Sequence, residues 1–285
     1  MKKKVKFETW KTLRGQTFKD LLDRANLPWK KLRIEHESGV ILNFRYPLTP
    51  KFFLNSARDD LKDGSLRGRI NALTNAKRAI DCQTDTFLSA IGYSPKGLEK
   101  QLGKTVIEGL RTFANSVGQP LKFLVLESLG IVTPAIVTRV RDIRHLLEHQ
   151  YKKPSINAVN DAIDIAALYV SACQGAMSAF LEDVHLGYEK IPHPLGGEQV
   201  FERAIWISLD NDEPVHIKLH FYNFTSRERA DITLFPNDPC YLALLRLLFA
   251  VRSEENIERA IAFAANSAGV AMTGGKVKVE SIDYC

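Results

Sequence analysis

The chain has no run of about 18 uncharged apolar residues, so it offers no candidate for a membrane-spanning helix. Its opening, Met1-Lys-Lys-Lys-Val-Lys-Phe-Glu8, is basic and lacks the apolar core of a secretory leader. Cytoplasmic residence, with no membrane partner, is the expectation this raises. Cysteine is scarce and scattered: Cys82, Cys173, Cys240 and Cys285 form no metal-type pair. Neither a metal nor another cofactor is expected, and Cys82 and Cys173, which fall in helical apolar patterns, read as reduced core residues. No internal repeat or low-complexity segment is present.

What is there suits a soluble globular protein of one large domain or two modest ones: 285 residues, 45% hydrophobic and 25% charged. The formal charge of +6 is unevenly placed. Residues 1–50 hold eight Lys and four Arg against five acids, a net of +7, so the rest of the chain sums to −1. The same segment carries Phe7, Trp10, Phe18, Trp29, Phe44 and Tyr46. Basic residues interleaved with aromatics suit contact with RNA phosphates and unstacked bases, and Lys2, Lys3, Lys4 and Lys6 are candidate contacts. The alternative is that the aromatics are core and the lysines only aid solubility.

Periodicity divides the chain into three. Residues 1–50 read as a basic N-terminal extension, with a short helix from Phe18 ended by Pro28 and a strand-like stretch from Gly39 to Tyr46. Residues 51–182 read as helices: a long amphipathic run from Asp59 to Tyr93, then Val106–Phe113, Leu121–Leu129, a helix from Pro134 to about Tyr151, and one opened by Ser155. Short loops between them predict an up-and-down bundle. Residues 183–285 read as an α+β module, with strands at Val200–Leu209, Val215–Phe224, 230–235 and Lys276–Ile282 and helices at Pro239–Val251 and Glu254–Ser267. In Val215–Phe224 the alternation sends Val215, Ile217, Leu219 and Phe221 to a core. It leaves His216, Lys218, His220 and Tyr222 on the opposite face, either as a basic–aromatic RNA platform or as an ordinary solvent face.

The densest chemistry is Arg141-Asp-Ile-Arg144-His145-Leu-Leu-Glu148-His149-Gln-Tyr151-Lys-Lys-Pro154-Ser155. Pro154 ends that helix and Ser155 caps the next. Arg141, His145 and His149 share one stripe of a helix, and Arg144, Glu148 and Tyr151 another. Arg144 and His149 are splayed by about 140° on a straight helix, so a second helix is the easier source of a convergent site. An imidazole can take up and return a proton near neutral pH, and a permanently charged guanidinium can stabilise a phosphate. His145 would orient either group or act as a second proton carrier. Glu148 would hold Arg144 through an i, i+4 pair. A solvated helix end is the bland alternative, since cations favour a helix C-terminus.

Arg-x4-His alone arises by chance about half a time in such a sequence, whereas the added Tyr lowers this to about one in a hundred. The Arg144-x4-His149-x-Tyr151 pattern resembles the motif of the HEPN superfamily of helical ribonucleases and toxins, over roughly residues 51–182. The resemblance implies a mainly α fold, a HEPN-like up-and-down bundle with an appended C-terminal α+β module. It also implies a homodimeric, metal-independent endoribonuclease acting as a toxin or antiviral defence effector, in which His149, at the family's histidine position, carries protons for the ribose 2′-OH and the 5′-oxygen and Arg144 stabilises the phosphate. Tyr151 matches the position that a partner nucleotidyltransferase modifies in some family toxins, so an antitoxin or nucleotidyltransferase partner is implied. A non-catalytic RNA- or protein-binding scaffold of the same type is the alternative. His145-Leu-Leu-Glu148-His149 also spells the inverted zinc-protease signature, which needs a further carboxylate; Glu228 is a candidate, in a stretch that reads as loop or turn.

Overall fold

The computed structural model describes residues 10–36, 39–113, 119–131, 138, 142, 152–178, 180–181, 183–193, 199–254 and 256–284. Two compact units divide the chain: Met1–Gly39 together with Leu181–Cys285, and Val40–Phe180.

The first unit is built on a sheet whose strands begin near the N-terminus. They are β1 (Lys11–Leu13) and β2 (Leu32–His36), with helix α1 (Phe18–Ala25) between them. Thr17 starts α1 through a capping box, its hydroxyl accepting from the Asp20 N–H at 3.2 Å while its own N–H donates to the Asp20 carboxylate at 2.8 Å. Asn26, left-handed at φ 41°, closes the helix before Pro28 is reached. Short strands β3 (Gly39–Val40) and β4 (Phe180–Leu181) mark where the chain passes between the units. After them come β5 (Asp183–Gly187), the hairpin β6 (Lys190–Pro192) and β7 (Gln199–Phe201), and the meander β8 (Arg203–Asp210), β9 (His216–Asn223) and β10 (Glu228–Leu234). β11 (Val279–Tyr284) ends the unit.

Seven of these strands form one mixed sheet in the order β1-β10-β9-β8-β5-β2-β11, with only the outer pairs β1–β10 and β11–β2 parallel. Alternation fixes its two faces. Ile34, Val184, Leu186, Ile205, Ile207, Ile217, Leu219 and Phe221 are fully buried on one side. There α1 packs on β8 and β9, and the apolar helix Tyr241–Ser253 packs on β5 and on the helix Ile257–Ser267.

The second unit is helical among its described residues. Its helices are α2 (Pro50–Lys62), α3 (Leu66–Ala90), α4 (Leu98–Phe113), α5 (Leu121–Ser128) and α6 (Ile156–Ser178). The Asp59–Tyr93 run is two helices, broken where Gly64 takes φ 68° and Ser65 caps α3 through the Gly68 N–H at 2.9 Å. A Cβ at Gly68 would strike the Asp60 carbonyl, so glycine permits the close approach of α2. α4 kinks at Gly103, φ 71°. Ala72, Leu73, Ala76, Ile80 and Phe87 of α3 and Val159, Ile163, Ala166 and Val170 of α6 supply buried side chains.

Two expectations are corrected. The chain is not a mainly α bundle, because a seven-stranded mixed sheet forms one of its two units. Residues 1–50 are not an extension, and the α+β part is not simply appended: β1 and β2 pair with strands about 200 and 150 residues later. The helical unit is therefore an insertion within the sheet unit. Strands of three and five residues carry too short an alternation to announce themselves, and their partners lie beyond any local window. Gly39–Tyr46 is strand only at Gly39–Val40.

Candidate functional site

Arg141, Arg144, His145, Glu148, His149 and Tyr151 lie outside the described residues, as do Lys2, Lys3, Lys4 and Lys6. Lys152, immediately after the motif, is again among the described residues. Ser155 caps α6 as its sequence suggests, accepting from the Ala158 N–H at 3.2 Å. The carbonyl of buried Pro154 accepts from Arg69 Nη1 of α3 at 3.1 Å, which fixes the chain three residues after Tyr151. Glu228, the carboxylate considered for a zinc ligand, lies in strand β10 rather than a loop. Lys11 contacts it at 3.2 Å and Arg24 at 3.7 Å. Among the described residues no group of three His, Cys, Asp or Glu is arranged to hold a metal.

The sheet's polar face is the richest described surface, and one register row crosses six strands. It runs Asp283 (β11), Glu35 (β2), His185 (β5), Trp206 (β8), His220 (β9), Asp231 (β10). Strand pairing alone puts these neighbours side by side. The His185 and Trp206 rings are 5.1 Å apart and tilted by 43°, and those of Trp206 and His220 4.9 Å apart and tilted by 42°. Trp206 Nε1 donates to Asp183 at 2.7 Å, which fixes the indole. His220 Nδ1 lies 2.7 Å from Asp231. A carboxylate only accepts, so Nδ1 carries the proton and the other ring nitrogen, Nε2, is not used by this bond.

His216, Lys218, His220 and Tyr222 all fall on this face, alternating with buried Ile217, Leu219 and Phe221. Three of the four are matched to acids. Asp210 contacts Lys218 at 2.5 Å and His216 at 3.6 Å, and Asp231 holds His220. The Lys218 ammonium, then the Asp212 N–H, hold the Asp210 carboxyl below its ordinary range. The far end is more acidic. Glu35 and Asp183 are buried there, and Lys190 bridges Glu35 and Asp283 with Phe201 beneath its ammonium. The bond to Glu35 raises Lys190 above the usual ammonium range.

The open end, at β1, β9 and β10, differs. Arg229 sits beside Tyr222 and Thr12 in the next row and is exposed. Its Nε donates to Thr12 at 3.1 Å, and no carboxylate of the described residues lies within ion-pair distance. Phe224 there makes edge-to-face contacts with Trp10 at 5.1 Å, Tyr222 at 5.3 Å and His193 at 6.1 Å. Sequence reading missed Trp206, Asp183, Asp231 and Arg229. The burial alternation of β8 puts Trp206, Ser208 and Asp210 on one face, and the register supplies their partners.

No protein-family model, curated protein or solved structure matches this chain.

Proposed function

We propose that the protein is a metal-independent endoribonuclease of HEPN type, in which His149 moves the protons and Arg144 binds and stabilises the scissile phosphate. The observation that carries this reading is the Arg144-x4-His149-x-Tyr151 sequence, set directly before α6 in a unit whose described elements are helices. Arg69, holding Pro154, supports it by fixing the chain next to the motif. His145, Glu148 and Arg141 have orienting roles, and two motif helices meet in a homodimer because Arg144 and His149 diverge on one helix. We place the enzyme in the cytoplasm, as a toxin or defence effector, with Tyr151 as the position for a modifying partner. Among the described residues no helix is long and apolar enough to cross a membrane.

A second reading, RNA binding without cleavage, draws on the exposed arginine and aromatic rings at the open end of the sheet face. RNA degradation by the purified chain in EDTA separates the two. Chelator-resistant cleavage that Arg144→Ala and His149→Ala each abolish is the expected result. Binding with no cleavage by wild type removes the nuclease and leaves the scaffold.

A further inference from the structure

The pairing of β1 with β10 brings together residues that are about 200 positions apart in sequence and that share one chemistry. Thr12 stands beside Arg229, Arg229 beside Tyr222, and Tyr222 touches Phe224, which touches Trp10. We infer that this open end of the sheet face is a docking site for single-stranded RNA, with Arg229 binding a backbone phosphate and the Trp10–Phe224–Tyr222 cluster receiving an adjacent base. The inference rests on the RNA reading above and names where the strand is held.

Three features favour this occupant. First, Arg229 is an exposed cation of the face that no described carboxylate neutralises, and a planar guanidinium suits a phosphate. Lys218 and His216 share Asp210, so they are not the principal contacts. Second, Trp10, Tyr222 and Phe224 are each only half-buried, so the cluster presents aromatic surface beside Arg229. Third, His220 is a diagonal neighbour of Arg229 across β9 and β10, roughly 7–8 Å away, close to the spacing between successive phosphates. Asp231 and Trp206 fix its ring, and Nε2 is the nitrogen left for a ligand. The ring row from His185 to His220 works differently. Its rings stand one strand apart, each against the next, so Trp206 has a neighbour on both sides and is poorly placed to stack on a base.

The test measures binding of a fluorescent 12-nucleotide oligoadenylate to the full chain carrying His149→Ala, across a salt series. Arg229→Ala should weaken binding about tenfold and flatten the log–log salt slope by about 0.7, the value for one phosphate contact on a single strand. Arg229→Lys should restore the slope. Trp10→Ala should weaken binding about tenfold with the slope unchanged, as loss of one stacked base does. Unchanged affinity and slope in both variants overturns the site while the RNA reading stands. Complete displacement of the oligonucleotide by millimolar AMP also overturns it, since the site would then hold a mononucleotide. No binding by the parent at low salt removes the RNA reading itself. Should Trp10→Ala fail to fold, the exposed Arg229 variants still decide the matter.

Discussion

Removing either partner of the hydroxyl pair in the helical unit should cost different amounts, because the pair is asymmetric. Thr84 Oγ1 lies 2.8 Å from the Ile80 carbonyl and 2.7 Å from the Tyr169 hydroxyl. A carbonyl only accepts, so Thr84 donates its single proton to Ile80 and must accept from Tyr169. Both residues are about 1% exposed. Tyr169→Phe removes a donor and leaves Thr84 still bonded to Ile80, a loss of about 1 kcal/mol. Thr84→Val keeps the shape but strands a buried phenol hydroxyl, whose remaining neighbour, Cys173, is a weak acceptor. That variant should cost about 2–3 kcal/mol. The double variant removes both needs at once and should cost less than Thr84→Val alone. Urea unfolding followed by circular dichroism at 222 nm measures all three. Additive losses, or a costlier Tyr169→Phe, would refute the assigned direction of the bond.

Single contacts give further expected outcomes. Gly187→Ala places a methyl inside the ring of fully buried Phe201 and should destabilise the sheet unit by about 1–3 kcal/mol, read as a lower thermal midpoint. Asp210 has a lowered pKa in the fold, so its contribution is present above its unfolded pKa near 3.9 and lost as pH falls through the folded value. Asp210→Asn should therefore narrow the difference in thermal midpoint between pH 7 and pH 3; an unchanged difference counts against the pairing with Lys218. Burial pushes the Cys173 thiol up to about 12. At pH 8 it should resist iodoacetamide until urea opens the helical unit, and prompt alkylation would show that α6 is not packed as described.

Local chemistry was readable in the sequence and pairing was not. Ser155 announces its helix because a cap acts over three residues, and β9 shows itself through eight alternating residues. The break within Asp59–Tyr93 was missed because apolar spacing continues through it; only the left-handed Gly64 and the Ser65 cap divide α2 from α3. His216, Lys218, His220 and Tyr222 could be assigned to one face. That Asp210 and Asp231 balance the first three depends on cross-strand register, as does the placing of Arg229 beside Tyr222. A strand's composition suggests a basic surface, and its neighbours determine how much of that charge remains available.

The insertion of the helical unit has a consequence that can be tested by excision. β2 and β5 are adjacent and antiparallel, with His36 opposite Val184, so the chain leaves the sheet and re-enters it at neighbouring positions. An antiparallel pair needs only a two-residue turn to join it, and Asn-Gly supplies the required left-handed conformations. Replacing residues 38–182 with Asn-Gly should turn β2 and β5 into an ordinary hairpin and keep Asp183, whose carboxylate holds Trp206. The core of Ile34, Val184, Ile205 and Leu219 stays complete, because each belongs to the sheet unit. The shortened chain should unfold in one cooperative transition and retain oligoadenylate binding that depends on Arg229, while losing all RNA cleavage. Retained cleavage would place the chemistry in the sheet unit and remove Arg144 and His149 from it. A shortened chain without a cooperative transition would show that the sheet needs its insertion in order to fold.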